Sequence, residues 1–171
     1  SMLLDQGKKG LAVEVLLRSR NRWPEQEVLN PILRVIQSKR PKIALFRVGE
    51  GMDSALEEAW AFAQERFQTE FYAGRTPEEL SRLMQWCDIA WFDGGGPIVV
   101  EALQSPAPVK ILVSLRCSHV RGDWVRLVRW ENVDILVQIG SSAVEEALLK
   151  WVPDIRTVSY THLTLPTIYS V

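Results

Sequence analysis

Lys42-Ile-Ala-Leu-Phe-Arg-Val-Gly-Glu-Gly-Met-Asp-Ser-Ala-Leu-Glu57 is the stretch from which the rest of the chain can be read. Ile43 to Phe46 is a short apolar run, and Gly49-Glu50-Gly51 is a glycine-rich turn. Ser54 with Glu57 has the spacing of a capping box, which predicts a helix reaching about Phe67. Strand, tight turn and helix in that order make the first half of a βαβ unit. The cadence then repeats. Thr69 to Tyr72 reads as a second strand, and Thr76-Pro77-Glu78-Glu79 supplies cap, first-turn proline and N3 glutamate for a second helix. Asp88 to Phe92 is a third strand, and Gly94-Gly95-Gly96-Pro97 turns into a helix through about Gln104. Val109 to Leu115 is a fourth strand and Val133 to Ile139 a fifth. Ser141 and Ser142 with Glu145 then cap a helix running to Trp151.

Strands of near-continuous Val, Ile and Leu alternating with helices predict a parallel sheet covered on both faces. The fold class is therefore α/β, a Rossmann-like doubly wound sheet of about five to six strands with expected order 3-2-1-4-5. Before it, residues 3–20 and 25–39 read as two helices around Trp23-Pro24-Glu25, a helical hairpin somewhat like one tetratricopeptide unit. Three segments result: a hairpin over residues 1–40, the Rossmann-like domain over 41–157, and a tail over 158–171.

The tail is of a different kind. Val158 to Thr167 matches one reading frame of a widely used sequencing-library adapter, and Ile168 to Val171 fits the bases that follow it. The expectation is a chain cut from a longer reading frame, with residues 158–171 non-native. Thr161 to Leu165 alternates and is β-prone, so it is expected to add an edge strand.

Composition excludes several classes. The 171 residues are 47% hydrophobic and 24% charged with a formal charge of −1, which gives no support for nucleic-acid binding. No apolar run is long enough for a transmembrane segment and no signal peptide is legible, so a cytoplasmic location is expected. Cys87 and Cys117 are too far apart for a metal knuckle and read as two buried thiols. His119 is the one histidine outside the tail, which leaves no histidine metal cluster and no Ser-His-Asp triad. The chain also lacks the P-loop, the G-x-S-x-G elbow and an Asp-x-Asp pair.

Ligands of doubly wound sheets sit beyond the carboxyl ends of the strands, at the point where strand order reverses. That rule selects Arg47–Asp53, Asp93–Pro97, Arg116–Asp123 and Gly140–Ser142. Within them, Gly49, Glu50 and Gly51 read either as an ordinary turn or as a phosphate cradle. Gly94, Gly95 and Gly96 beside Asp93 permit close backbone approach but also suit a tight turn. Arg116, Ser118, His119 and Arg121 crowd the end of the fourth strand, where two arginines and a histidine would suit a phosphate or carboxylate or else form a solvated loop, and Ser141 is the candidate from the last stretch. Trp86, Trp91, Trp124 and Trp130 could stack sugar rings; for Trp86 and Trp91, at or in a strand, core packing is the stronger reading. No catalytic residue and no metal ligand can be named.

Three blocks add a resemblance. Met84-Gln-Trp-Cys-Asp-Ile-Ala-Trp-Phe-Asp93, Val109-Lys-Ile-Leu-Val-Ser-Leu115 and Val128-Arg-Trp-Glu-Asn-Val-Asp134 resemble the N-terminal domain of bacterial GT-B glycosyltransferases of the retaining group 1 type. Ser141, Val144 and Leu148 continue the likeness, which covers roughly residues 42–157, and Trp130 to Asp134 is its most specific piece. The resemblance implies an acceptor-side domain facing a second domain, absent here, that holds a nucleotide-sugar donor. It places Gly49 and Gly51 near the donor phosphates and Asp93 to Gly96 beside a sugar, glycan or lipid-linked acceptor. The family's strand-four Arg-Leu-His stands here as Ser114-Leu115-Arg116, so Arg116 replaces the usual histidine. No cofactor is expected in this chain, and no transferase activity from it alone. The alternative is a stand-alone binding module that self-associates through an exposed interdomain face or through the tail.

Overall fold

The computed structural model describes residues 6–47, 51–72, 74, 76–116, 119 and 122–139, together with the backbone of Thr157–Tyr160. The elements in order are α1 (Lys9–Arg22), α2 (Leu29–Gln37), β1 (Lys42–Phe46), α3 (Ser54–Arg66), β2 (Gln68–Tyr72), α4 (Pro77–Trp86) and β3 (Ile89–Asp93). They continue with α5 (Pro97–Ala102), β4 (Lys110–Arg116), two 3-10 turns (Asp123–Arg126 and Trp130–Asn132), β5 (Ile135–Ile139) and β6 (Thr157–Tyr160). The helix expected over 141–151 lies outside the described residues.

All pairings are parallel and the sheet order is β2-β1-β3-β4-β5-β6. The fold is thus the expected α/β parallel sheet, but the order 3-2-1-4-5 is corrected. β2 pairs with β1 in either order, but β3 lies between β1 and β4 instead of outside β2, so the reversal falls between β1 and β3 rather than between strands one and four. The physical reason is polarity. β2 carries Gln68, Thr69 and Glu70 and buries only Tyr72, so it cannot be sandwiched and takes the edge. β3 buries Ala90, Phe92 and Asp93 and can occupy the interior.

The two faces have separate cores. Ala44, Phe46, Ala90, Phe92, Ile111, Val113, Leu115 and Leu136 pack under α4, α5 and the 3-10 turns with Leu83, Val99, Leu103 and Trp130. Opposite them, Ile43 and Leu45 pack under α3 with Leu56, Trp60 and Ala63. Strands β3 and β5 start by the same device. The Asp88 carboxylate accepts the Lys42 amide at 2.8 Å, and the Asp134 carboxylate accepts the Ile111 amide at 2.8 Å and Lys110 Nζ at 2.6 Å. Burial raises the Asp134 pKa, but the bonds from Lys110 and Ile111 outweigh it and hold the group below the ordinary carboxylate range.

Two local expectations shift. α3 is capped by Asp53, whose Oδ1 accepts the Leu56 amide at 2.8 Å, so Ser54 is the first helical residue rather than the cap. α2 starts at Leu29, not at residue 25, because a helix from there would put Pro31 in its interior, where the ring clashes with the carbonyl four residues back. Starting at Leu29 leaves Pro31 in the first turn. Thr76 caps α4 as expected, its Oγ1 accepting the Glu79 amide at 3.2 Å. At the other edge, β6 forms at Thr157–Tyr160, ahead of the 161–165 segment, which lies outside the described residues.

Candidate functional site

At the reversal point β1, β3 and β4 end side by side. Asp93, the last residue of β3, points to the α3 face with its carboxylate 1% exposed. Arg47, just past β1, donates from Nη1 to Asp93 Oδ2 at 2.8 Å, and Arg116, the last residue of β4, donates from Nη1 to both Asp93 oxygens at 3.2 Å. Ser114 Oγ donates to Asp93 Oδ1 at 2.8 Å and accepts Trp91 Nε1 at 2.9 Å. The carboxylate therefore meets three donor side chains from the ends of two neighbouring strands, as a buried charge requires.

The outer side of the cluster is Asp53, which caps α3 and sits 2.9 Å from Arg116 Nη2. That contact is an ion pair off the line of the N–H, so Nη2 makes no directed hydrogen bond. Asp53 is 46% exposed, against 18% for each arginine side chain. Two guanidiniums and two carboxylates balance, so the cluster carries no net charge to trap an anion.

His119 lies over Gly94, and its Nδ1 accepts the Arg116 amide at 3.3 Å. Burial pushes its pKa below the ordinary imidazole value, Arg116 and Arg47 push the same way, and Asp93 and Asp53 offset part of it. Because the native pKa is depressed, the unfolded state binds the proton more readily. The stability involved is fully present above about pH 6.5, the unfolded value, and is lost as pH falls from there through the native one. His119→Gln should flatten that slope, by up to about 1.4 kcal/mol per pH unit, the limit for one proton. Urea midpoints at neutral and mildly acidic pH measure it; an unchanged difference between the two would rule the histidine out.

The glycine turn is filled by the chain itself. A Cβ on Gly95 would overlap the indole of Trp124, and one on Gly94 would press on the His119 ring at 3.2 Å. Trp124 is fixed in turn by Nε1 donating to the His119 carbonyl at 3.0 Å. Gly94 and Gly96 have φ of +88° and +122°, which only glycine adopts freely.

Of the expected site residues, Asp93, Gly94, Arg116 and His119 come together, Gly95 and Gly96 continue the same turn, and Gly51 leads into Asp53. Gly49, Glu50, Ser118 and Ser141 lie outside the described residues, as does Cys117. The bonding role of Ser114, Trp91 as its donor, and the Arg47–Asp93–Arg116 contacts go beyond the sequence expectations. Ser114 was the available signal, since a hydroxyl within an otherwise apolar strand must find a partner. As sugar platforms the tryptophans are mostly spent: Trp130 is buried, Trp91 packs edge-on to Trp60, and Trp86 lies under Lys42. Cys87 is a free buried thiol whose pKa burial pushes up to about 11, so it is no nucleophile.

The Trp130 to Asp134 block has a structural role at the opposite end of the sheet. Trp130 Nε1 donates to the Val125 carbonyl and Asn132 Nδ2 to the Leu103 carbonyl, each at 2.9 Å, while Asp134 ties β5 to β4. Among the described residues no helix is long and apolar enough to cross a membrane. No model of a known protein family matches the chain, and no curated protein matches it.

Proposed function

We propose that this chain is the acceptor-side half of a GT-B-type glycosyltransferase and that the crevice between β1 and β3 receives a sugar hydroxyl. The observation that carries the reading is the charge-balanced cluster at the reversal point, open to solvent through Asp53. A neutral, hydroxyl-rich ligand needs donors and acceptors in one place without net charge. The exposed Asp53 carboxylate offers an acceptor, and Arg116 Nη2, buried 2.9 Å behind it without a directed hydrogen bond, is a donor that a ligand displacing Asp53 would reach. A phosphate would instead have to displace both carboxylates. On this reading the nucleotide-sugar is held by a separate domain, and the chain alone turns none over.

A second reading, a binding module without catalysis, is favoured by the glycine turn. Trp124 and His119 close over it, so that turn presents no open backbone to a ligand. Saturation-transfer NMR with a panel of neutral saccharides tests the first reading. Millimolar binding is expected, weakened at least tenfold by Asp53→Asn, which keeps the cap but removes the charge. Binding that ignores the substitution, or hydrolysis of a nucleotide-sugar by the purified chain, would overturn it.

A further inference from the structure

We infer that the N-terminal hairpin is a self-association surface in which α2 packs antiparallel against α2 of a second copy of this chain. The inner faces of the hairpin are satisfied, since Ala12, Val13 and Leu17 of α1 bury against Leu33 and Ile36 of α2. Its junction with the sheet domain is polar. Glu14 pairs with Arg66 at 2.7 Å, Arg20 with Glu65 at 2.8 Å, and Gln68 donates to the carbonyls of Ser38 and Arg40. Apolar side chains are left pointing elsewhere. Of nine exposed large hydrophobic residues among the described ones, six belong to this unit: Leu11, Val15, Trp23, Val28, Ile32 and Val35.

Val28, Ile32 and Val35 follow helical i, i+4, i+7 spacing and fall within about 60° of one another around the axis, beside the buried Ile36 and turned away from Leu33. Val28 and Val35 are 69% and 58% exposed. A surface helix normally buries its apolar face in its own core, and this one carries a face so wide that only the Leu33 and Ile36 side of it is buried. Val28, Ile32 and Val35 together expose on the order of 300 Å², a third or more of the roughly 800 Å² per partner of a stable interface, so the expected dimer is a weak one completed by flanking polar residues.

The stripe also complements itself. A two-fold contact requires a patch that matches its own rotated image. With the axis at Ile32, Val28 faces the second copy's Val35 and the two Ile32 side chains meet. Charges agree with this orientation, because Glu25 and Glu27 precede the helix while Arg34 and Lys39 sit at its end, all four exposed. Antiparallel pairing sets acidic start against basic end twice. A hollow of about 130 Å³ between Lys9, Val35, Ile36 and Lys39 lies where Glu27 of the second copy would arrive.

Sedimentation velocity on the full chain from about 1 to 200 μM tests this. The expected result is a concentration-dependent dimer that Ile32→Glu with Val35→Glu makes monomeric. Lys39→Glu alone should weaken the dimer at least tenfold, and adding Glu27→Lys in the same chain should restore it. The charge pair guards against a variant that merely unfolds, since only a specific contact is rescued by reversal. A chain monomeric throughout, a dimer that survives the glutamates, or a failed rescue would each overturn the inference.

Discussion

Asp93→Ala should destabilise the fold by about 3–5 kcal/mol, the range for removing one partner from a buried ion cluster. The loss would come less from missing attraction than from what stays behind. Arg47 and Arg116 are each 18% exposed, and without Asp93 two guanidiniums face each other across the space it filled. Asp93→Asn preserves volume and can still accept from Ser114, yet it leaves the same two charges short of a counter-ion, at a cost on the order of 2–4 kcal/mol. Asp93→Leu combined with Arg47→Met and Arg116→Met should recover most of the loss, because apolar groups of similar volume often replace a buried ion cluster without penalty. Ser114 keeps Trp91 in that variant and can turn its proton to the Phe92 carbonyl, 3.4 Å away. Denaturant midpoints decide the matter: an Asp93→Ala loss under about 1 kcal/mol would mean that the cluster is already hydrated.

If the triple variant folds as well as the natural chain, stability is not the reason the cluster exists. A sequence under no other demand would fill that position with leucine and methionine. Recovery on apolar replacement, together with loss of saccharide binding, would then assign the charges to recognition rather than to folding.

The elements of the sheet were legible because their signals are local. Thr76-Pro77 opens α4 through its own hydroxyl and ring, and the Val, Ile and Leu runs of β1, β4 and β5 stand out within a few residues. The strand order was not, because right-handed crossovers fix the hand of each connection and leave open on which side of β1 the next strand lands. The polar Gln68-Thr69-Glu70 against the apolar Ala90-Trp91-Phe92 held the missing information. The site shows the same division. The rule that ligands gather at carboxyl ends of strands selected the stretches holding Arg47, Asp53, Asp93 and Arg116 before their contacts were visible. Which carboxylate each arginine meets depends on alignment across β1, β3 and β4, and that register is set by non-local pairing. The Trp130 to Asp134 block shows the converse hazard, a distinctive sequence whose distinctiveness serves the fold, with Trp130 packed behind Trp124, Asn132 holding the end of α5 and Asp134 the start of β4.

Gly95→Ala should cost about 2–4 kcal/mol, a large effect for one methyl group, because the new Cβ falls on the ring of Trp124 and a packed core resists even small excess volume. Backbone strain is not the cause, since Gly95, unlike Gly94 and Gly96, does not have a positive φ. Trp124→Ala alone should cost a similar amount through the cavity it opens beside Val125 and Trp130, the latter's ring lying 6.2 Å from it. The informative quantity is the double variant. If the glycine exists to admit the indole, Gly95→Ala costs almost nothing once Trp124 is gone, and the two losses fall short of additive by about 2 kcal/mol or more. If the glycine instead serves a ligand approaching the backbone, the penalties add, and saccharide binding drops with Gly95→Ala whichever residue stands at 124. Denaturation and binding measured on the same four proteins therefore separate a turn shaped by its own tryptophan from one kept open for a substrate.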